Sequence, residues 1–308
     1  MQTTAPQTKP GLYLPLSPIL PDLPPTTPDL LAAPDDGWAA DVAAFGPWER
    51  TTLAGRSGPL EFLRADSDRT VFICAECGST MDLAWKLAEE GILPEWGSVL
   101  AARQTAGRGQ LRREWISPPG NLHVSLLLPR RLAASPAGAL LPVVLGWMCA
   151  EALEEEGVPL RIKWPNDLLL EGRKVGGMLV EDRGERTLAG IGLNLRHAPP
   201  DDALRAQHAA PAGTLEAKKR GSTPLVTWLP LVKRLQKVYE SSVQELVPPE
   251  IISLATDKLA WMGRRVRIVE GGNTPYTAVL LGLAPDGGLI VGRDGEEETI
   301  HSGSILPG

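Results

Sequence analysis

Apolar positions along this chain fall into short strand-like runs separated by stretches at helical spacing. Thr70-Val-Phe-Ile-Cys74, Val99 to Gln104 and Thr187 to Leu195 have strand length, and Gly120 to Leu128 alternates with period two. Between them, Thr80, Ala84, Leu87 and Ala88 share one helical face that stops at Gly91, and Ser79 with Asp82 reads as a capping box at its start. Ala137 to Glu156 predicts a long amphipathic helix with Leu141, Val144, Leu145, Met148 and Ala152 buried and Gly157 as its stop. A third helix begins at Pro224 behind Thr223, carries Leu225, Trp228, Leu229, Val232, Leu235 and Tyr239 on one face, and should kink at Pro230. From Gly263 the texture changes. Arg265–Val269, Thr277–Leu281, Leu289–Val291 and Glu298–His301 are short strands, with turns at Gly271-Gly-Asn273, Pro285-Asp-Gly-Gly288 and Asp294-Gly295. Their regular spacing predicts a small all-β barrel of about 45 residues.

Residues 1–45 are dense in proline, which opposes continuous helix and sheet, so they are expected to form a disordered or loosely draped extension with no compact helix-turn-helix. The whole chain, 308 residues with 43% hydrophobic and 22% charged, suits a soluble protein of one large and one small domain. A formal net charge of −6 argues against a dedicated nucleic-acid or membrane-surface binder. No apolar run is long enough to span a membrane and no basic-then-apolar leader opens the chain, which makes the cytoplasm the expected compartment. Cys74 and Cys77 form a C-x-x-C, but the other cysteine is Cys149 and the histidines stand apart at 123, 197, 208 and 301, so structural thiols are expected.

Candidate chemistry concentrates in two stretches. Arg161 to Glu181 reads as a β-hairpin in which Lys163-Trp-Pro-Asn-Asp167 precedes apolar Leu168-Leu-Leu170, a turn at Glu171-Gly172-Arg173, Lys174, and a Gly176-Gly177 pair. Paired glycines inside a strand mark a bulge or a close approach to the backbone, and lysines beside them suit an anionic ligand such as a nucleotide. An ordinary hairpin with a solvated turn is the alternative. The second stretch, Gln104 to Trp115, places four arginines between positions 103 and 113 around Gly107 and Gly109. Backbone N–H groups of such a loop converge on an anion and arginine forks bind carboxylate or phosphate, while Trp115 can stack on a base. A solvated loop remains open.

Taken in order, Gly78-Ser-Thr80, Gln104-Thr-Ala-Gly-Arg-Gly109 with Arg113 and Trp115, Gly120-Asn-Leu122 with Ser125, Lys163–Asp167, Arg173-Lys174-x-Gly-Gly177 with Glu181, and Gly190-Ile-Gly-Leu-Asn194 resemble the biotin protein ligases over residues 70 to 308. The resemblance implies an α+β fold: a mixed or antiparallel sheet flanked by helices, of the class II synthetase-like biotin/lipoate ligase kind. It places the catalytic domain at 46–261 and an SH3-like barrel at 262–308. It implies formation of biotinyl-5′-adenylate from biotin and ATP with Mg²⁺, then transfer to a lysine of the biotin carboxyl carrier domain of acetyl-CoA carboxylase or a related carboxylase.

By the same likeness Lys174 is the central catalytic cation, assisted by Arg108 and by Asp167 as metal ligand or base. Ser79, Thr80, Gln104, Gly107, Arg108, Lys174, Gly176 and Gly177 surround biotin. Arg113, Trp115, Lys163, Asn166 and Asn194 bind ATP. No nucleic acid or membrane partner is implied, and monomer and homodimer both remain open. A lipoate protein ligase, a biotin-responsive repressor and a catalytically silent sensor are the alternatives. The chain departs from the family pattern at Gln110, where a second loop arginine is usual, at Arg112 in place of glycine, at Met81 in place of asparagine, and at His123 in place of tyrosine.

A neutral hydrogen bond at Gln110 is worth about 1 kcal/mol, against about 1.5–3 kcal/mol for a charged one, so adenylate release should be accelerated by around tenfold. Stopped-flow tryptophan fluorescence should show Gln110→Arg slowing release of preformed biotinyl-adenylate. An unchanged rate in that variant, with a faster one in Arg112→Gly, places the clamp at Arg112 instead.

Overall fold

The computed structural model describes residues 8–21, 23–110, 113–133, 140–200, 210–219, 221–244, 247–270 and 274–308. In chain order its elements are β1 (Gly11–Pro15), α1 (Pro28–Ala32), α2 (Asp36–Ala44), β2 (Glu49–Gly55), β3 (Gly58–Ala65), β4 (Thr70–Cys77), α3 (Thr80–Glu89), β5 (Ser98–Gln104), β6 (Leu122–Leu127), α4 (Arg130–Ala133) and α5 (Leu141–Glu154). They continue with β7 (Arg161–Lys163), β8 (Asp167–Leu170), β9 (Arg173–Arg183), β10 (Arg186–Leu193), α6 (Pro224–Val238), α7 (Pro248–Asp257), β11 (Arg265–Val269), β12 (Tyr276–Leu283), β13 (Leu289–Arg293), β14 (Glu296–Ile300) and β15 (Ser304–Pro307). The chain divides into two compact units, one of residues 1–130, 178–197 and 219–232, the other of 131–177, 198–218 and 233–308. The class is α+β.

In the first unit the strand order is β2-β3-β1-β4-β5-β6-β10, with the second half of β9 beside β10. β4 runs parallel to both β1 and β5, and the other pairs are antiparallel, which makes the sheet mixed. The helix α3 packs on this sheet through Leu83, Ala84, Leu87 and Ala88, all buried, with Phe72, Val99 and Ala101 in the same core. Tyr13, Phe62 and Phe72 make a ring cluster, with Tyr13 and Phe72 stacked at 5.1 Å.

Residues 8–45 are therefore not a loose extension. Leu12, Tyr13 and Leu14 of β1 are at most 1% exposed, and β1 lies between β3 and β4. The prolines punctuate rather than prevent structure: Pro15 ends β1, and Pro28 occupies the first turn of α1, where its missing N–H costs nothing. From α2, Asp41 accepts hydrogen bonds from Thr223 Oγ1 and, at 2.8 Å, from the backbone N of Leu225, so a residue of the N-terminal segment caps α6. Burial pushes the Asp41 carboxyl above its ordinary value, with those donors opposing it. Trp228 of α6 donates to Ser98 Oγ at 2.8 Å, and the helix runs through Pro230 into a π-helical turn at Tyr239–Val243.

In the second unit, β7, β8 and the first half of β9 form an antiparallel ribbon, and a separate five-stranded antiparallel sheet follows in the order β14-β13-β12-β11-β15. Its last strand, β15, is one more than the sequence pattern gives, because it holds only Ile305 and Leu306 as apolar residues. Gly271–Asn273 lie outside the described residues. The helix expected from Ala137 starts at Leu141, residues 137–139 lying outside the description, and α5 is buried on nearly every face rather than along one stripe.

The β2–β3 turn is tied to the end of α3. Glu90 accepts from Ser57 N at 2.8 Å and Ser57 Oγ at 2.7 Å, and pairs with Lys86 at 2.6 Å. Lys86 first, and then the Ser57 donors, hold the Glu90 carboxyl down to about 2 from the ordinary 4.5. A carboxyl depressed by folding stabilises above its unfolded pKa and loses that contribution as the pH falls towards its folded one. Glu90→Gln should lower the urea midpoint at pH 7, and the difference from wild type should close between pH 4.5 and about 2 in equilibrium unfolding curves.

Candidate active site

In the first unit, polar groups gather where β4 gives way to α3. Ser79 is extended (φ −151°, ψ 137°) and its Oγ accepts from Met81 N at 3.3 Å, which starts the helix. The expected capping box is not what forms, because Asp82 pairs with Arg108 instead, at 2.7 and 2.8 Å through both guanidinium nitrogens. Gln104 ends β5 opposite Cys77 at the end of β4, and this register brings its amide to the helix start. Its Oε1 accepts from Thr80 N at 2.8 Å and Thr80 Oγ1 at 3.1 Å, while Ser125 of β6 donates to Thr80 Oγ1 at 2.9 Å. Gln104 Nε2 donates to Ser117 Oγ at 2.8 Å, and Ser117 in turn donates to the Trp115 carbonyl at 3.0 Å. Ser117 gave no signal in the sequence; only the fold brings it within reach of Gln104.

The arginine-rich loop is a small hairpin. The backbones of Arg108 and Glu114 form an antiparallel β-bridge, Gly109 N donates to Arg113 O at 2.7 Å, and Trp115 N donates to Gly107 O at 2.9 Å. Gly107 is required by crowding, since a Cβ there would lie 2.5 Å from the Trp115 carbonyl and 2.7 Å from Ser117 Oγ. Gly192 is required for the same reason: its Cβ would lie 2.4 Å from the Trp115 indole, which is thereby placed against β10. Arg113 is exposed and Gln110 half-buried, while Leu111 and Arg112 lie outside the described residues. Asn194 is buried just beyond β10, and Asn121 fixes the backbone that follows it by accepting from Arg196 N and His197 N, each at 3.0 Å. His123 is buried with Nε2 3.0 Å from the Pro118 carbonyl; burial lowers its pKa to about 4, so the ring is neutral at pH 7. Cys74, Cys77 and Cys149 are buried free thiols, and burial raises Cys149 to about 12.

In the second unit, the hairpin of β8 and β9 turns at Glu171 (φ 51°) and Gly172 (φ 79°), both left-handed, as a tight two-residue turn requires. Gly176 and Gly177 stand opposite Leu168 and Asp167, next to a register shift between Leu168 and Leu169. Asp167 is shared: Oδ2 takes Lys163 Nζ at 2.8 Å and Oδ1 takes Lys174 Nζ at 2.6 Å. Burial alone raises the Asp167 pKa, but the Lys174 and Lys163 ammonium groups outweigh it and hold the carboxyl below its ordinary value.

Both oxygens of Asp167, the residue expected as metal ligand or base, face ammonium groups in this structure. Among the described residues no group of three or more His, Cys, Asp or Glu side chains is placed to hold a metal. The side chain of Lys163, expected as an ATP contact, is 6% exposed against 30% for Lys174. The Lys174 backbone is fixed by Lys174 N to Pro211 O at 2.7 Å and Gly213 N to Lys174 O at 2.8 Å. Trp164 donates to Gly287 O of the C-terminal sheet at 2.9 Å, and Asn166 beside it is half-buried.

Residues 74–197 match the model of the biotin/lipoate A/B protein ligase family. The chain is 29% identical to the biotin–[acetyl-CoA-carboxylase] ligase of Paracoccus denitrificans, over 76% of this chain and 99% of that one. It is 31% identical to the bifunctional ligase/repressor BirA of Salmonella typhimurium, over 70% of this chain and 68% of the relative. Among solved structures, the biotin protein ligase from Aquifex aeolicus in complex with biotin and ATP superposes with a TM-score of 0.62 at 28% identity, covering 77% of this chain and 97% of that one. The biotin protein ligase from Leishmania major in complex with biotin gives 0.53, at 28% identity over 76% and 98% of the two chains. With these likenesses added to the polar cluster at α3 and the shared carboxylate of the hairpin, the chain belongs to the biotin protein ligases of the biotin/lipoate protein ligase family.

Proposed function

We propose that this chain condenses biotin with MgATP to biotinyl-5′-AMP and transfers the biotinyl group to a lysine of a biotin carboxyl carrier domain. In the first step a carboxylate oxygen of biotin attacks the α-phosphorus and pyrophosphate leaves. In the second, the lysine amine attacks the acyl carbon, an amide forms and AMP leaves. Both reactants of the first step are anions, so the step needs a fixed cation where charge accumulates. The observation that supports this best is Lys174, the more exposed of two lysines on one buried carboxylate. Asp167 orients Lys174, and Lys163 keeps the trio's net charge positive.

Ser79, Thr80 and Gln104 offer the alternating donors and acceptors that a ureido ring matches, and Gly107 and Arg108 meet the biotin carboxylate. Gly176 and Gly177 leave room along the strand. Arg113 serves the phosphates, and Trp115, Asn166 and Asn194 serve the nucleoside. Mg²⁺ enters with ATP as part of the substrate. We assign catalysis to the chain up to residue 261, now including β1 to β3, and treat the sheet from 262 onward as a distinct C-terminal domain. Among the described residues no helix is long and apolar enough to cross a membrane.

Incubation with ATP, Mg²⁺, labelled biotin and a biotin carboxyl carrier domain should label the carrier. Labelling of a lipoyl domain by lipoate in the parallel reaction, with none by biotin, overturns the assignment. Lys174→Ala should cut adenylate formation by about 10²–10³-fold while weakening biotin binding far less. Near-normal pyrophosphate release in that variant removes Lys174 from the mechanism.

A net charge of −6 gives little attraction for phosphate, and among the described residues the helices before β2 are the short α1 and α2. A low-salt gel shift with a biotin-operon promoter should show no specific complex, and a specific one means the N-terminal segment has been misassigned.

A further inference from the structure

Asp82 occupies the first turn of α3, where a carboxylate ordinarily folds back to the cap or faces the helix dipole. Here its two oxygens take both terminal nitrogens of Arg108, at 2.7 and 2.8 Å, a bidentate geometry. Glu181 of β9 lies 3.7 Å from the same guanidinium, and is itself held by Trp85 Nε1 at 3.0 Å and by Arg183, which stacks 4.6 Å above the Trp85 ring. Asp82 ties the outer arm of the arginine loop to the helix whose first residues are Ser79 and Thr80. Backbone bonds from Thr105 N to Cys77 O at 3.0 Å and Ala106 N to Gly78 O at 2.8 Å hold the start of the loop, and the Asp82–Arg108 pair adds a side-chain tie further along it.

We propose that Asp82 is a positioning residue that sets Arg108, and with it the loop backbone at Gly107 to Gly109, before an anionic substrate arrives. The proposal rests on the assignment of Arg108 to the biotin carboxylate. A loop already in place spares the ligand the entropy of ordering it, so the contribution of Asp82 shows in substrate binding rather than in the chemical step. Glu181 supports the pair from a longer distance and matters less.

The test compares wild type, Asp82→Asn, Asp82→Glu and Glu181→Gln as full chains. In the absence of substrates, tryptic cleavage after Arg108, followed by mass spectrometry, should be about fivefold faster in Asp82→Asn, the scale of a well-formed exposed ion pair. Asp82→Glu should restore most of the protection, and Glu181→Gln should change it less. In about 0.5 M NaCl the wild-type rate should rise towards that of Asp82→Asn, because the pair is screened. In the adenylation assay Asp82→Asn should raise the biotin KM by about fivefold with kcat within about twofold.

Equal cleavage rates in wild type and Asp82→Asn overturn the proposal. So does a lower KM, which makes Asp82 a competitor of the substrate, or a loss confined to kcat. Should wild type form no biotinyl-adenylate at all, the assignment of function fails, while the cleavage arm still reads whether Asp82 orders the loop.

Discussion

A single buried carboxylate, Asp167, holds two ammonium groups at 2.6 and 2.8 Å, and the arrangement of the β7–β9 ribbon centres on it. Asp167 gives the ammonium groups of both Lys163 and Lys174 an opposite charge within hydrogen-bond distance. The arrangement requires the β7–β8–β9 register that puts Lys163 opposite Asp167 and Asp167 opposite Gly177. That register in turn requires the left-handed turn at Glu171-Gly172. The bond from Trp164 to Gly287 and the backbone bonds of Lys174 to Pro211 and Gly213 hold the ribbon from other sides.

The first unit has a corresponding centre in one turn of α3. Ser79 caps it, Thr80 meets Gln104 and Ser125, Asp82 meets Arg108, and the far end is tied to the β2–β3 turn through Glu90. Apart from the local Ser79 cap, each bond comes from a different strand or loop, so the helix start is specified by the sheet as well as by its own residues. Close packing completes it, because the space that Gly107 and Gly192 leave is filled by Trp115 and Ser117.

The N-terminal segment shows how composition misleads when read without context. Proline density signals disorder only when the segment lacks apolar residues to bury. Leu12, Tyr13, Leu14, Leu31 and Trp38 stand between these prolines and are all essentially buried, and Asp41 reaches across 182 positions to Thr223.

The sequence by itself determined the strands β4 to β6 and β10, the helix α3, the hairpin turn at Glu171-Gly172, the C-terminal β sheet and the ordered motifs that place the chain in its family. These are features of local periodicity and of turn residues whose backbone demands are intrinsic. Tertiary structure alone decided that β1 to β3 join the sheet, that Asp41 caps α6, that Asp82 turns from its own helix to Arg108, and that Asp167 is shared by two lysines. A carboxylate takes whichever partner lies nearest in space. Spacing along the chain limits that choice only within a turn of helix or a hairpin, and all the rest comes from contacts between residues far apart in sequence.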